Sequence, residues 1–222
     1  MKLLITGGAG FIGSALILNL LEHSAHEVVN IDCLTYAASP SSLRSIAAHP
    51  RYAFEPIDIR DRLAITDALH RHQPDGIIHL AAESHVDRSI DDSDPFIQTN
   101  VVGTHHLLEA TRSYYETLGP GGRDTFRFHH VSTDEVYGSA DADNAFTEQS
   151  PLAPNSPYAV SKAAADNLAR VWHHTYGVPT VISASVNNYG PRQHPEKFIP
   201  RLITNALEHR ALPMYGNGRH VR

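Results

Sequence analysis

Thr133, Asp134 and Glu135 stand side by side where the apolar run from Phe126 to Ser132 ends. Adjacent carboxylates repel each other, so ionising one disfavours ionising the second, and their pKa values separate. That leaves an acid beside a base, a pair able to give and take protons at one place. A second pair lies downstream, in "SPYAVSKAAAD": Tyr158 and Lys162 are four residues apart, the spacing that sets two side chains on one helix face. Tyrosine titrates near about pH 10 and is a poor base at neutrality. A neighbouring ammonium favours the phenolate, which can then take a proton from a secondary alcohol.

Elements must bring these groups together. "KLLIT", "EVVNID", "YAFEPID", "DGIIHLAA", "TFRFHHVS" and "PTVISAS" read as strands; 11–23, 61–72, 95–118 and 156–176 read as helices. This alternation predicts an α/β fold, a doubly wound parallel sheet of Rossmann type with helices on both faces. Ligands of such sheets bind at the carboxyl ends of the strands, which puts "STDE" on the functional edge and favours chemistry over a solvated turn. Gly119 to Gly122 reads as a loop tip. Residues 207–218 read as a helix end, a short strand and a turn.

The first strand runs directly into "TGGAGFIGS", where Gly7, Gly10 and Gly13 form a variant of the dinucleotide fingerprint. Glycine lets the backbone turn tightly and approach a pyrophosphate, while the helix N-terminus supplies N–H donors. Asp32 closes the second strand, about 20 residues on. An acid there accepts hydrogen bonds from ribose hydroxyls and repels a 2′-phosphate, so the cofactor expected is NAD rather than NADP. Asp58 either bonds the adenine edge or caps the helix that starts near Asp61.

At 222 residues, 41% of them hydrophobic, the chain is long enough for a sizeable core. A net charge of -6 and a pI near 6.2 argue against general binding of nucleic acid or membrane surfaces. The single cysteine, Cys33, suits a reducing compartment. No run of about 18 apolar residues suggests a membrane span, and "MKLLIT" is too short for a signal-peptide core. A cytoplasmic protein is expected. The 16 histidines are scattered without ligand spacing, so no metal site is expected.

"TGGAGFIGS", "LAAESHVDRSI", "NVVGTHHLLEA", "STDEVYG", "SPYAVSKAAAD" and "NNYGPRQHPEKFIP" follow in the order seen in the extended short-chain dehydrogenase/reductase superfamily, which the whole chain resembles. Within it the chain looks most like the dTDP-glucose 4,6-dehydratases. Epimerases of the superfamily carry small hydroxyl residues where Asp134 and Glu135 stand, and GDP-mannose dehydratases typically lack the aspartate.

The resemblance implies a redox-neutral conversion of dTDP-glucose to dTDP-4-keto-6-deoxyglucose and water. Tyr158, aided by Lys162, would oxidise carbon 4 with NAD, and Thr133 would bond the carbon-4 oxygen. Glu135 would take the carbon-5 proton, and Asp134 would protonate the hydroxyl leaving carbon 6. It also implies that Phe11 and Ile12 face the pyrophosphate. Cys33, Leu34, Thr35 and Ile59 join Asp32 and Asp58 in the cofactor set, and Leu80, Ala81, Ala82, Glu83, Ser84, Thr99 and Asn188 line the NAD cleft. Ser84, Thr133, Asn187, Lys197, Phe198, Pro213, Tyr215 and Arg222 are the implied nucleotide-sugar residues. Residues 1–185 would form the NAD-binding domain and 186–222 a partial substrate region whose remainder is missing, with NAD binding retained and turnover weak or absent. The helices 95–118 and 156–176 match the superfamily's four-helix homodimer interface.

Two features depart from the pattern. Ser183, Ala184, Ser185 and Val186 stand where many such dehydratases read Thr-Asn-Cys-Ser, so Ala184 supplies no amide, and the chain stops at "GNGRHVR". An epimerase, a decarboxylase or a UDP- or CDP-glucose dehydratase is the alternative on this scaffold. A non-catalytic NAD-binding protein is the alternative of another class.

Overall fold

In the computed structural model, which describes residues 1–139 and 145–214, strands and helices alternate from the start. They are β1 (Lys2–Thr6), α1 (Phe11–His23), β2 (Glu27–Ile31), a 3-10 helix (Pro40–Ile46), β3 (Tyr52–Glu55), α2 (Arg62–His72) and β4 (Gly76–His79). Two short helices follow, α3 (Val86–Asp91) and α4 (Asp94–Phe96), then a π-helical turn (Ile97–Gly103) that runs into α5 (Thr104–Thr117). The chain continues through α6 (Pro120–Thr125), β5 (Arg127–Thr133), a 3-10 turn (Asp134–Tyr137), α7 (Pro157–Tyr176), β6 (Thr180–Ser185) and α8 (Phe198–Leu207).

All six strands are parallel and lie in the order β3-β2-β1-β4-β5-β6. The chain winds outward from β1 to β3 and then crosses back to β4. The switch point between β1 and β4 opens a crevice at their carboxyl ends.

The pleat sends neighbouring residues to opposite faces, and both faces are covered. Leu4, Ile77 and Phe128 pack with Ile65 and Leu69 of α2, Leu107 and Leu108 of α5 and Trp172 of α7. Ile5 and Val28 pack on the other face with Ile17 and Leu21 of α1 and with Leu43. Burial of each such side chain stabilises by about 1.5–3 kcal/mol, which makes the sheet a rigid platform for its carboxyl edge.

Three local expectations change. The helix expected over 95–118 is broken by the π-helical turn, which turns Asn100 into the interior, where it is 1% exposed. Gly119 to Gly122 is not a loop tip but the start of α6. Pro120 pre-sets the first turn, and Arg123 ties it back through Leu118 O at 2.9 Å and Glu116 O at 2.6 Å. No strand follows α8 through residue 214, since a strand needs a pairing partner and Leu212 and Met214 stay exposed. The rest of that expected strand and turn lies outside the described residues.

Candidate active site

The carboxyl ends of the strands meet at a cleft of about 1080 Å³. Its floor is the glycine turn. Gly7 has φ +73°, and a Cβ there would stand 2.6 Å from Ala81 N, so the turn lies directly on the loop after β4. A Cβ on Gly13 would stand 2.7 Å from Gly8 Cα, which closes α1 onto the same turn. No side chain caps α1 at Gly10. The amides of Phe11, Ile12 and Gly13 therefore present an uncapped helix N-terminus beside the cleft, and this donor set fits a dinucleotide's pyrophosphate.

Asp32 braces the turn. Its Oδ2 accepts from Ala9 N at 2.8 Å and its Oδ1 from Leu34 N at 2.8 Å. Asp32, Cys33 and Thr35 line the cleft, but Leu34 does not: at φ 55° its side chain turns to solvent, and only its N–H serves the site. Burial, followed by Asp58 and Asp32, pushes the Cys33 thiol above its ordinary value.

The helix cap is not Asp58. Asp61 caps α2, its carboxylate accepting from Ala64 N at 3.0 Å. Asp58 faces the cleft beside Ile59 and holds the Arg60 guanidinium, with Nη2 at 2.6 Å. That hydrogen bond keeps the Asp58 carboxyl below the usual range. Leu80, Ala81, Ala82, Glu83, Ser84 and Thr99 line the opposite wall.

At the end of β5, Thr133 and Glu135 enter the cleft that Tyr158 and Lys162 also line. Asp134 is not among its lining residues. A 3-10 turn rotates successive side chains by about 120°, so neighbours within it cannot point the same way. Asp134 is connected through Thr133, whose hydroxyl donates to Asp134 Oδ1 at 3.2 Å and accepts from Glu135 N at 3.3 Å.

The base pair is held firmly. Ser156 caps α7 by accepting from Ala159 N at 3.1 Å, and Tyr158 N donates to Ser89 Oγ at 3.2 Å. Phe96 meets the Tyr158 ring edge-on at 6.4 Å. Lys162 is 5% exposed and donates to Val131 O at 2.9 Å. Burial lowers its pKa to about 8, with Asp166 pulling the other way.

Ser84, Asn187, Asn188, Lys197, Phe198 and Pro213 line the far half of the cleft. Lys197 reaches across it to donate to Ser84 O at 2.8 Å. Burial lowers its pKa, opposed by Glu196, Glu135 and other carboxylates. Ser185 Oγ accepts from Asn188 Nδ2 at 3.2 Å, and Ser183 Oγ lies 2.8 Å from His129 Nε2; Ala184 stands between them with no polar group. Tyr215 and Arg222 lie outside the described residues.

Sequence reading missed two supports. Asn100 accepts from Glu83 N at 2.8 Å and donates to Glu83 O at 2.9 Å and Ser161 Oγ at 2.9 Å, tying the cofactor wall to α7. Glu196 draws in Arg88 at 3.2 Å, His194 at 3.6 Å and His85 at 3.8 Å, and Arg88 lies 4.0 Å over the Tyr36 ring. These contacts join α3 to the loops after β2 and β6 around the cleft mouth. Asn100 opens "NVVGTHHLLEA" and Glu196 lies inside "NNYGPRQHPEKFIP", but neither is distinguishable there from a surface polar residue.

The family model for GDP-mannose 4,6 dehydratase matches residues 4–222. The chain belongs to that family. A dTDP-glucose 4,6-dehydratase of Haemophilus influenzae is 53% identical over 100% of this chain and 66% of its own length, and one of Neisseria gonorrhoeae is 53% identical over 100% and 64%. The chain thus spans less than two thirds of the length of these relatives. Among solved structures, the Streptomyces venezuelae dTDP-glucose 4,6-dehydratase with NAD bound has a TM-score of 0.90 at 48% identity, covering 98% of this chain and 66% of that one. A UDP-glucuronic acid 4-epimerase of Bacillus cereus, in complex with UDP-glucuronic acid and NAD, has a TM-score of 0.86 at 34% identity, covering 98% and 67%.

Proposed function

We propose that the full-length protein is an NAD-dependent dTDP-glucose 4,6-dehydratase. Residues 1–185 form its NAD-binding domain, and 186–222 are part of its nucleotide-sugar region. The observation that carries this reading is that Glu135, Thr133, Tyr158 and Lys162 line one cleft with the glycine turn.

NAD, when bound, supplies a hydride acceptor for carbon 4 of the sugar and later a donor for carbon 6. Tyr158 takes the proton of the carbon-4 hydroxyl, and the Lys162 ammonium stabilises the phenolate. Thr133 donates to the carbon-4 oxygen. With a ketone at carbon 4 the carbon-5 proton becomes acidic, and Glu135 removes it and later returns it. Asp134, hydrogen-bonded to Thr133, protonates the hydroxyl leaving carbon 6. Lys197 balances the diphosphate, and Ser84, Asn187, Phe198 and Pro213 hold the sugar nucleotide.

A cytoplasmic homodimer is the assembly this reading proposes. Val160 and Val171, each 48% exposed on α7, support a helical interface there.

The test is incubation of the full-length protein with dTDP-glucose and NAD. The expected product is a 4-keto-6-deoxy sugar, recognised by its absorbance in alkali. An epimer or unchanged dTDP-glucose overturns the reading, and faster conversion of UDP- or CDP-glucose corrects the base.

A further inference from the structure

Behind Tyr158 and Lys162, α7 buries a carboxylate that the proposed reaction does not use. Asp166 is one helical turn beyond Lys162 and is 1% exposed. Strand β5 sets His130, 0% exposed, against it, with Nε2 3.1 Å from Asp166 Oδ1. The two atoms are close but misaligned, and each lacks a hydrogen-bond partner. The next strand, β4, adds His79, 1% exposed, its ring 5.3 Å from that of His130.

These groups are all buried, and their charges must balance. An isolated buried ion is costly unless a partner compensates it. His79 is satisfied as a neutral ring by two hydroxyls, Thr6 Oγ1 at 2.7 Å from Nδ1 and Thr104 Oγ1 at 2.9 Å from Nε2. Burial, with the neighbouring cations next, holds both His79 and His130 well below their ordinary values. The titratable groups acting on this space are Lys162, Asp166 and Arg170 on α7, His130 and His129 on β5, and His79 on β4. Burial pushes the Asp166 carboxyl above its ordinary value, opposed by Ser132, Lys162 and Arg170, and with both buried histidines neutral Asp166 is the carboxylate that acts on Lys162.

We propose that Asp166 is a positioning residue, the buried counter-charge that keeps Lys162 an ammonium one turn below Tyr158. Its consequence for proton transfer rests on the reading of Tyr158 and Lys162 given under Proposed function. A neutral Lys162 amine can still donate to Val131 O, so loss of Asp166 removes the charge without requiring loss of the helix–strand contact. The phenol then faces an amine that no longer favours its phenolate.

The sequence makes this testable without turnover, because it contains three lysines, Lys2, Lys162 and Lys197. With the lysine side chains isotopically labelled, NMR follows the titration of each, assigned through Lys162→Met. In Asp166→Asn, Lys162 should lose its proton at a pH lower by about one unit or more, while Lys2 titrates as before. An unchanged Lys162 titration in a folded Asp166→Asn protein overturns the proposal.

Should that variant fail to fold, Lys162→Met in the otherwise unchanged chain tests the pair from the other side. Removal of the ammonium should raise the titration of a labelled Asp166 carboxyl, and an unchanged carboxyl overturns the proposal. In the full-length protein, Asp166→Asn should also move the alkaline limb of the turnover–pH profile to lower pH, whereas a merely structural loss would depress the whole profile. Both NMR readouts use no sugar, so their failure removes the role of Asp166 alone, and failure of dehydration leaves the pairing intact.

Discussion

Lys162 Nζ donates to the backbone carbonyl of Val131, 2.9 Å away and 31 residues back in sequence. This bond seats α7 on the carboxyl end of β5, just before Thr133 and Glu135. It brings two motifs, each weak by itself, to one cleft. Strand end and helix then face the glycine turn across the sheet's switch point.

Glu135 lines that cleft and Asp134 does not, so the two acids should differ in consequence. In the full-length protein, Glu135→Gln should lower dTDP-glucose turnover by about 10²–10⁴-fold while leaving NAD affinity near the parent value. Asp134→Asn should cost less. Steady-state turnover and NAD titration of the two variants check this, and parent-like turnover in both removes the elimination role.

Burial gives Lys162 a folded pKa of about 8, below its ordinary 10.5. Between these values the unfolded chain holds a proton that the folded chain has released, so stability rises with pH through that window. Below it the burial cost is fully present. Relative to Lys162→Met, the parent should gain on the order of 3 kcal/mol across the window. Urea denaturation of both proteins at a series of pH values checks the sign, and a flat or falling difference contradicts it.

Glu196 ties Arg88, His85 and His194 around the cleft mouth, and Tyr36 packs on Arg88 and, edge-on, on His194. Burial, then Glu196, pushes the Tyr36 phenol up to about 12, so it remains neutral in this cluster at ordinary pH. Glu196→Ala should loosen the mouth and speed NAD release by about tenfold, a change of about 1.4 kcal/mol. Stopped-flow displacement of NAD measures it.

Thr104 closes one side of the buried imidazole of His79. Thr104→Val keeps the shape but leaves Nε2 without its partner. The variant should lose about 1–3 kcal/mol of unfolding free energy, read by urea denaturation. Thr6, next to the glycine turn, still holds Nδ1 from the other side at 2.7 Å, so NAD affinity should stay close to that of the parent.

The local features were legible in the sequence. Strand and helix periods, the glycine turn entering α1, and the Tyr158/Lys162 spacing all depend on residues within one or two turns of each other. Their order along the chain specifies the winding of the sheet. Other features became visible only when distant segments met. The 3-10 turn keeps Asp134 out of the cleft lining, Arg60 holds Asp58, the π-helical turn delivers Asn100 to Glu83, and Glu196 joins its loop to α3. Asp166 is the clearest case. In sequence it is one more polar residue on a helix, and only the packing of α7 onto β5 and β6 buries it beside Lys162. Backbone geometry dictates spacing along one element, whereas direction and desolvation depend on what tertiary structure places opposite.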